Sequence, residues 1–102
     1  MNIMICEPNL PPYIKSIKGK YGEIQEIIGD NVKALPLNHP SIIVMYNEDN
    51  FEENKGNIES HRLNIPGTFV FLGREKNRLR SLSEDEINEI IHTIRKEDFT
   101  LV

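Results

Sequence analysis

Arg62, Arg74 and Arg78 each present a planar guanidinium that can grip a phosphate or carboxylate through two parallel hydrogen bonds. Asn47, Asn54 and Asn57 add side-chain amides, which donate and accept in fixed directions. Most of these residues lie in Asn47–Leu63, the longest irregular stretch of the chain. A loop of that length in a small domain is usually a binding element or unstructured. The chemistry they suggest is recognition of a small anionic group.

Groups that could break or make bonds are much less evident. His39, His61 and His92 are far apart in sequence, without the close pairing typical of zinc sites. His61 stands beside Arg62 and is the histidine best placed for a binding role. Ser16, Ser41, Ser60, Ser81 and Ser83 fall in turns, caps or edges, and none lies in Gly-x-Ser-x-Gly. Gly19-Lys20-Tyr21-Gly22 lacks the spacing of a dinucleotide or phosphate-binding loop. The acids after Asn47 do not continue into the twelve-residue calcium-loop pattern. Cys6 is the one cysteine, so a disulfide within the chain and a cysteine zinc site are both excluded. It sits in an apolar strand and reads as an inert buried thiol. The expectation is a non-enzymatic protein with no catalytic residue, metal site or cofactor.

A chain of 102 residues is one domain, residues 1–102, with a thin core. The composition, 38% hydrophobic and 27% charged, is that of a globular protein. The longest apolar runs, such as Ile42–Tyr46 and Phe69–Leu72, are far shorter than a membrane-spanning helix requires. No signal-peptide pattern opens the chain, so the expected location is the cytoplasm, of the producing cell or of an infected host. The net charge of -4 makes nucleic-acid binding an unfavoured reading. That charge is uneven. Glu48, Asp49, Glu52, Glu53 and Glu59 cluster in the long loop, and Arg74, Lys76, Arg78 and Arg80 cluster in a later one. Two such surfaces either meet across a homo-oligomer or stay solvated as ordinary loops.

The elements that must position these residues follow from apolar spacing. Ile3-Met4-Ile5-Cys6 has no polar alternate, so the first strand is covered on both faces. Pro11 and Pro12 lead into an edge strand over Tyr13–Lys18. Tyr21, Ile24, Ile27 and Ile28 form one face of a short helix over Lys20–Ile28, which Gly29 ends. A strand follows over Asn31–Leu37, with Val32, Ala34 and Leu37 inward. Ile42–Tyr46 is the most apolar strand and the candidate centre of the sheet. A weak strand near Asn57–Arg62 fits inside the long loop, and Ile65-Pro66-Gly67 turns the chain into a strand over Thr68–Leu72. Ser83 with Glu86 forms a capping box before the stripe Ile87, Ile90, Ile91 and Ile94. The tail Asp98–Val102 is too apolar for a solvated tag. The predicted class is α+β: a mainly antiparallel sheet of about five strands and two helices, in the order β-β-α-β-β-loop-β-α, with the helices on one face.

Glu7-Pro8, Asn47-Glu48, Gly67-Thr68-Phe69, Gly73 and Ser81-Leu82-Ser83-Glu84-Asp85-Glu86 together resemble a family of small, functionally uncharacterised accessory domains carried by phages, plasmids and Firmicutes genomes. The resemblance spans nearly the whole chain. It departs in the central loop, where members carry Leu-Pro-x-Asn-Arg and this chain offers only Asn57 and Arg62. The family has no established activity. Its genomic company implies counter-defence. One mechanism is a homo-oligomer that sequesters a small nucleotide-derived immune signal, with Tyr46, Asn47, Phe51, Asn57, Arg62 and Arg74 as ligand-binding residues. A second is an acidic inhibitor or nucleic-acid mimic acting on a bacterial defence protein through Glu48, Asp49, Glu52 and Glu53. A third is a regulatory or structural accessory module with no small ligand.

Overall fold

The computed structural model describes residues 1–8, 10–37, 39–50, 59–60 and 65–96. Among these residues, eight strands and two helices follow in chain order: β1 (Asn2–Cys6), β2 (Tyr13–Ser16), α1 (Tyr21–Ile28), β3 (Val32–Pro36), β4 (Ile42–Asn47), β5 (Glu59–Ser60), β6 (Ile65–Pro66), β7 (Phe69–Glu75), β8 (Arg78–Arg80) and α2 (Glu84–Lys96). The main sheet runs β2-β1-β7-β4-β3, with β8 also paired to β7, and every pairing is antiparallel. The fold is therefore α+β, as the apolar spacing predicts. The tail Asp98–Val102 lies outside the described residues.

The middle strand is β7 rather than β4. It pairs β1 through Met4↔Phe71 and Ile5↔Val70, and β4 through Val44↔Phe71 and Met45↔Val70. Phe69 to Leu72 are all buried, so both faces of this strand are covered along its apolar run. Strand β4 has the weaker β3 as its outer neighbour, where Ala34 is exposed rather than inward.

The helices lie on opposite faces of the sheet, not on one. Ile24, Ile27 and Ile28 of α1 pack with Ile3, Ile5, Ile43, Met45, Val70 and Leu72. Ile87, Ile90 and Ile91 of α2 pack with Met4, Cys6, Val44, Phe69 and Phe71. The reason is visible in β1, β4 and β7: each is apolar at consecutive positions, and successive side chains point to opposite faces. A helix on one side alone would leave an apolar sheet face in water. On the α2 face, Phe69 and Phe71 meet edge to face with ring centroids 5.7 Å apart.

Two further differences concern the loops. Ile65-Pro66 is a short strand paired with Glu59-Ser60, which realises the weak strand expected near Asn57–Arg62. The basic stretch after Gly73 is a hairpin, in which β8 returns against β7 through Gly73↔Arg80, Arg74↔Leu79 and Glu75↔Arg78. Lys76 takes the left-handed backbone conformation, φ 56°, that the tight turn demands.

Candidate functional site: the basic hairpin beside β7

Glu86 is the one polar side chain among the described residues that is buried, at 8% exposure. It lies in the first turn of α2. Its carboxylate accepts two hydrogen bonds from Arg80, at 2.6 and 2.7 Å. It also accepts the backbone N–H of Ser83 at 2.9 Å, while the Ser83 hydroxyl accepts the N–H of Glu86 at 3.1 Å. The capping box is thus present and extended by an arginine. Arg80 holds Glu86 well below the usual carboxylate range, down to about 2, with the Ser83 hydrogen bonds adding to the effect. The same pairing raises the Arg80 guanidinium further.

Gly73 makes room for this pair. A Cβ there would stand 2.5 Å from Arg80 Nη1 and 2.8 Å from the carbonyl oxygen of Ser81. The remaining Arg80 donors reach the carbonyls of Ser81 at 2.9 Å and Ser41 at 3.4 Å. Arg80 is therefore a structural arginine that welds the hairpin to the start of α2. The sequence contains the capping box but no sign of which arginine completes it, because the partner comes from a strand that the apolar spacing does not reveal.

The rest of the hairpin is differently disposed. Glu75, Lys76, Asn77, Arg78, Leu79 and Arg80 line an open groove of about 610 Å³. Lys76 and Arg78 are exposed, and neither joins an ion pair among the described residues. Arg78 shares the α2 side of the sheet with Arg80, whereas Arg74 faces the α1 side, because alternate residues of a strand point in opposite directions.

Of the expected ligand-binding residues, Phe51, Asn57 and Arg62 lie outside the described residues, as do His61 and the acids Glu52 and Glu53. The other three are not brought together within one chain. Tyr46 pairs with Phe69 at one end of β7 and packs against the α2-side core. Arg74 is at the other end of β7, roughly 17 Å along the strand. Asn47 has a local role. Its side-chain oxygen accepts the N–H of Asp49 at 2.9 Å, and its amide fills the space beside Gly29, which has φ 109°. Asn31 donates to the Asp49 carboxylate at 2.9 Å, and Glu48 pairs with Lys33 at 3.6 Å. Asn50 likewise abuts Gly67, φ 77°. The Asn47-Glu48 and Gly67 positions thus sit in a corner that clamps the loop to the turn after α1.

The Ser41 N–H meets Nδ1 of His39 at 3.1 Å, and Nε2 of the same ring lies 3.2 Å from the Glu89 carboxylate. It ties the β3–β4 turn to α2. His92 is exposed. Burial pushes the Cys6 thiol up, away from the reactive thiolate. No cluster of metal-ligating side chains occurs among the described residues. No helix among them is long and apolar enough to cross a membrane.

The family model of a domain of unknown function, DUF3846, matches residues 1–95. The chain belongs to that family, an uncharacterised one as the resemblance implied. No curated protein and no solved structure matches it.

Proposed function

We propose that this member of the DUF3846 family is a non-enzymatic binding protein that captures a small anionic, nucleotide-derived ligand, with the β7–β8 hairpin as its anion-contacting element. The observation that carries this reading is the division of labour in the hairpin. Arg80 is consumed by Glu86 and holds the scaffold still, while Lys76 and Arg78 stand exposed on the same groove. A rigid support with unpaired cations pays less ordering entropy when an anion arrives. Arg78 supplies a bidentate fork, and Lys76 a point charge. Tyr46 and Arg74 diverge within one chain, so a homo-oligomer that used both at one site would draw them from different copies, with Phe51, Asn57 and Arg62 as the further candidates.

The role we assign is counter-defence in a phage or mobile element, acting in a bacterial cytoplasm by holding an immune signal away from its receptor. The acidic-inhibitor reading draws less support. Glu48 is paired with Lys33 and Asp49 with Asn31, so two of its four acids already serve the loop corner.

Native mass spectrometry of the protein with a panel of cyclic and ADP-ribose-derived nucleotides tests the proposal. Retention of one nucleotide at fixed stoichiometry is the expected result. Failure of every nucleotide to remain bound would overturn it and leave the acidic inhibitor or an accessory module without a small ligand.

A further inference from the structure

Among the described residues outside the helices, the exposed large apolar side chains are Leu10 at 50%, just before β2, and Tyr13 at 42% and Ile14 at 40% on the strand itself. Among the described residues, strand β2 ends the sheet and pairs only with β1. Its free edge can be read from the ladder. Met1 and Ile17 exchange both backbone hydrogen bonds, each 2.8 Å. Hydrogen-bonded pairs recur every second residue in an antiparallel ladder, so Lys15 and Tyr13 also turn their backbone groups toward β1. Ile14 and Ser16 therefore point their N–H and C=O groups outward.

Both ends of this edge are closed. Pro11 and Pro12 have no N–H to offer. The N–H of Lys18 is taken by the Glu23 carboxylate at 3.0 Å. What remains is a short docking strip, Pro12–Ser16, with unmet donors at its centre. Edges of this kind either stay guarded or take up another strand.

We propose that a second copy of this chain covers the strip, β2 against β2 about a two-fold axis, joining the two sheets into one. Two antiparallel registers keep the pairing within Pro12–Ser16 and use the outward N–H groups of both Ile14 and Ser16. One sets Ile14 opposite Ser16 and brings Lys15 face to face with Lys15 of the second copy. Like charges directly opposite are destabilising. The other sets Ile14 opposite Ile14 and Tyr13 opposite Lys15 of the second copy, and lets each Ser16 N–H donate to the carbonyl of Pro12. It forms as many backbone hydrogen bonds and no like-charge contact. It also adds an attraction. The Tyr13 hydroxyl hydrogen-bonds to Glu7, so the incoming Lys15 arrives beside a carboxylate. Tyr13, Lys15 and Glu7 lie on the α1 side, and the Ile14 pair lies on the α2 side. The two-fold axis passes between the Ile14 pair and makes the Tyr13–Lys15 and Ser16–Pro12 contacts occur twice.

This interface involves no ligand, so its test stands apart from that of the proposed function. Light scattering coupled to size exclusion should give twice the 11.8 kDa chain mass. Lys15→Glu should yield a monomer with unchanged thermal stability at low concentration, and Glu7→Lys added to it should restore the dimer. Under mild oxidation, Ile14→Cys should cross-link to itself, because directly opposed Cα atoms in such a pair lie about 5.5 Å apart. Ser16→Cys should not, because its opposite number is Pro12. A monomer at every concentration would overturn the proposal. So would a dimer indifferent to Lys15→Glu, or equal cross-linking by the two cysteine variants.

Discussion

The Glu86 carboxylate is the residue on which the local architecture most depends. It takes hydrogen bonds from Arg80 and from the Ser83 backbone and sits almost out of water. Its proton affinity is lowered on folding, so the unfolded chain binds protons more readily between the two pKa values. Its stabilisation is therefore full above the ordinary glutamate value and drains away as pH falls toward about 2. The size is on the order of 2–3 kcal/mol. Urea titrations from pH 7 downward should show this loss, and Glu86→Gln should remove most of that pH dependence while lowering stability at pH 7 by about 2 kcal/mol. Gly73→Ala makes a complementary prediction. The new methyl would meet the backbone carbonyl of Ser81, which cannot rotate away, so a loss of about 1–3 kcal/mol is expected. Thermal unfolding checks it. The capping box could be read from Ser83 and Glu86 three residues apart. The arginine could not, since four basic residues stood within reach and only the β7–β8 register selects Arg80.

At the scale of elements, the apolar spacing specified most of the sheet and both helices. The 3.6-residue stripe in Ile87, Ile90 and Ile91 and the short stripe in Ile24, Ile27 and Ile28 are local patterns, and each became a helix with the expected inward face. Which side of the sheet each helix covers is not local. It depends on the consecutive apolar positions of three strands, which together demand cover on both sides. Strand β8 was hidden for another reason: Arg78-Leu79-Arg80 is short and mostly charged, and it is a strand because the turn at Lys76 returns it to β7. The two-sided arrangement has a thermodynamic signature. Ile24→Ala and Ile90→Ala remove methyl groups from separate cores on opposite sides of the sheet. Each should cost about 2–5 kcal/mol, and the double variant should show the sum within roughly 0.5 kcal/mol. Marked non-additivity in chemical denaturation would argue that the two cores behave as one.

For the molecule as a whole, the separation of structural from available charge decides where a ligand can bind. Arg80 is engaged with Glu86, Lys33 with Glu48, and Asp49 with the Asn31 side chain. Lys76 and Arg78 are not. A list of arginines and asparagines read from the sequence could not make that distinction, so Asn47 looked like a recognition residue although it fastens a loop corner. Replacing Lys76 and Arg78 should therefore alter binding with little effect on folding, because both are exposed and remote from the core. The most direct test is nuclear magnetic resonance of the amide signals during titration with the cyclic and ADP-ribose-derived nucleotides, on the wild type and on Lys76→Glu/Arg78→Glu. We expect saturable shifts for one of the nucleotides, centred on Glu75–Arg80, weakened by salt and abolished in the charge-reversed variant while its unliganded spectrum stays folded. Shifts that avoid the hairpin, or that survive the charge reversal, would contradict the assignment of the site.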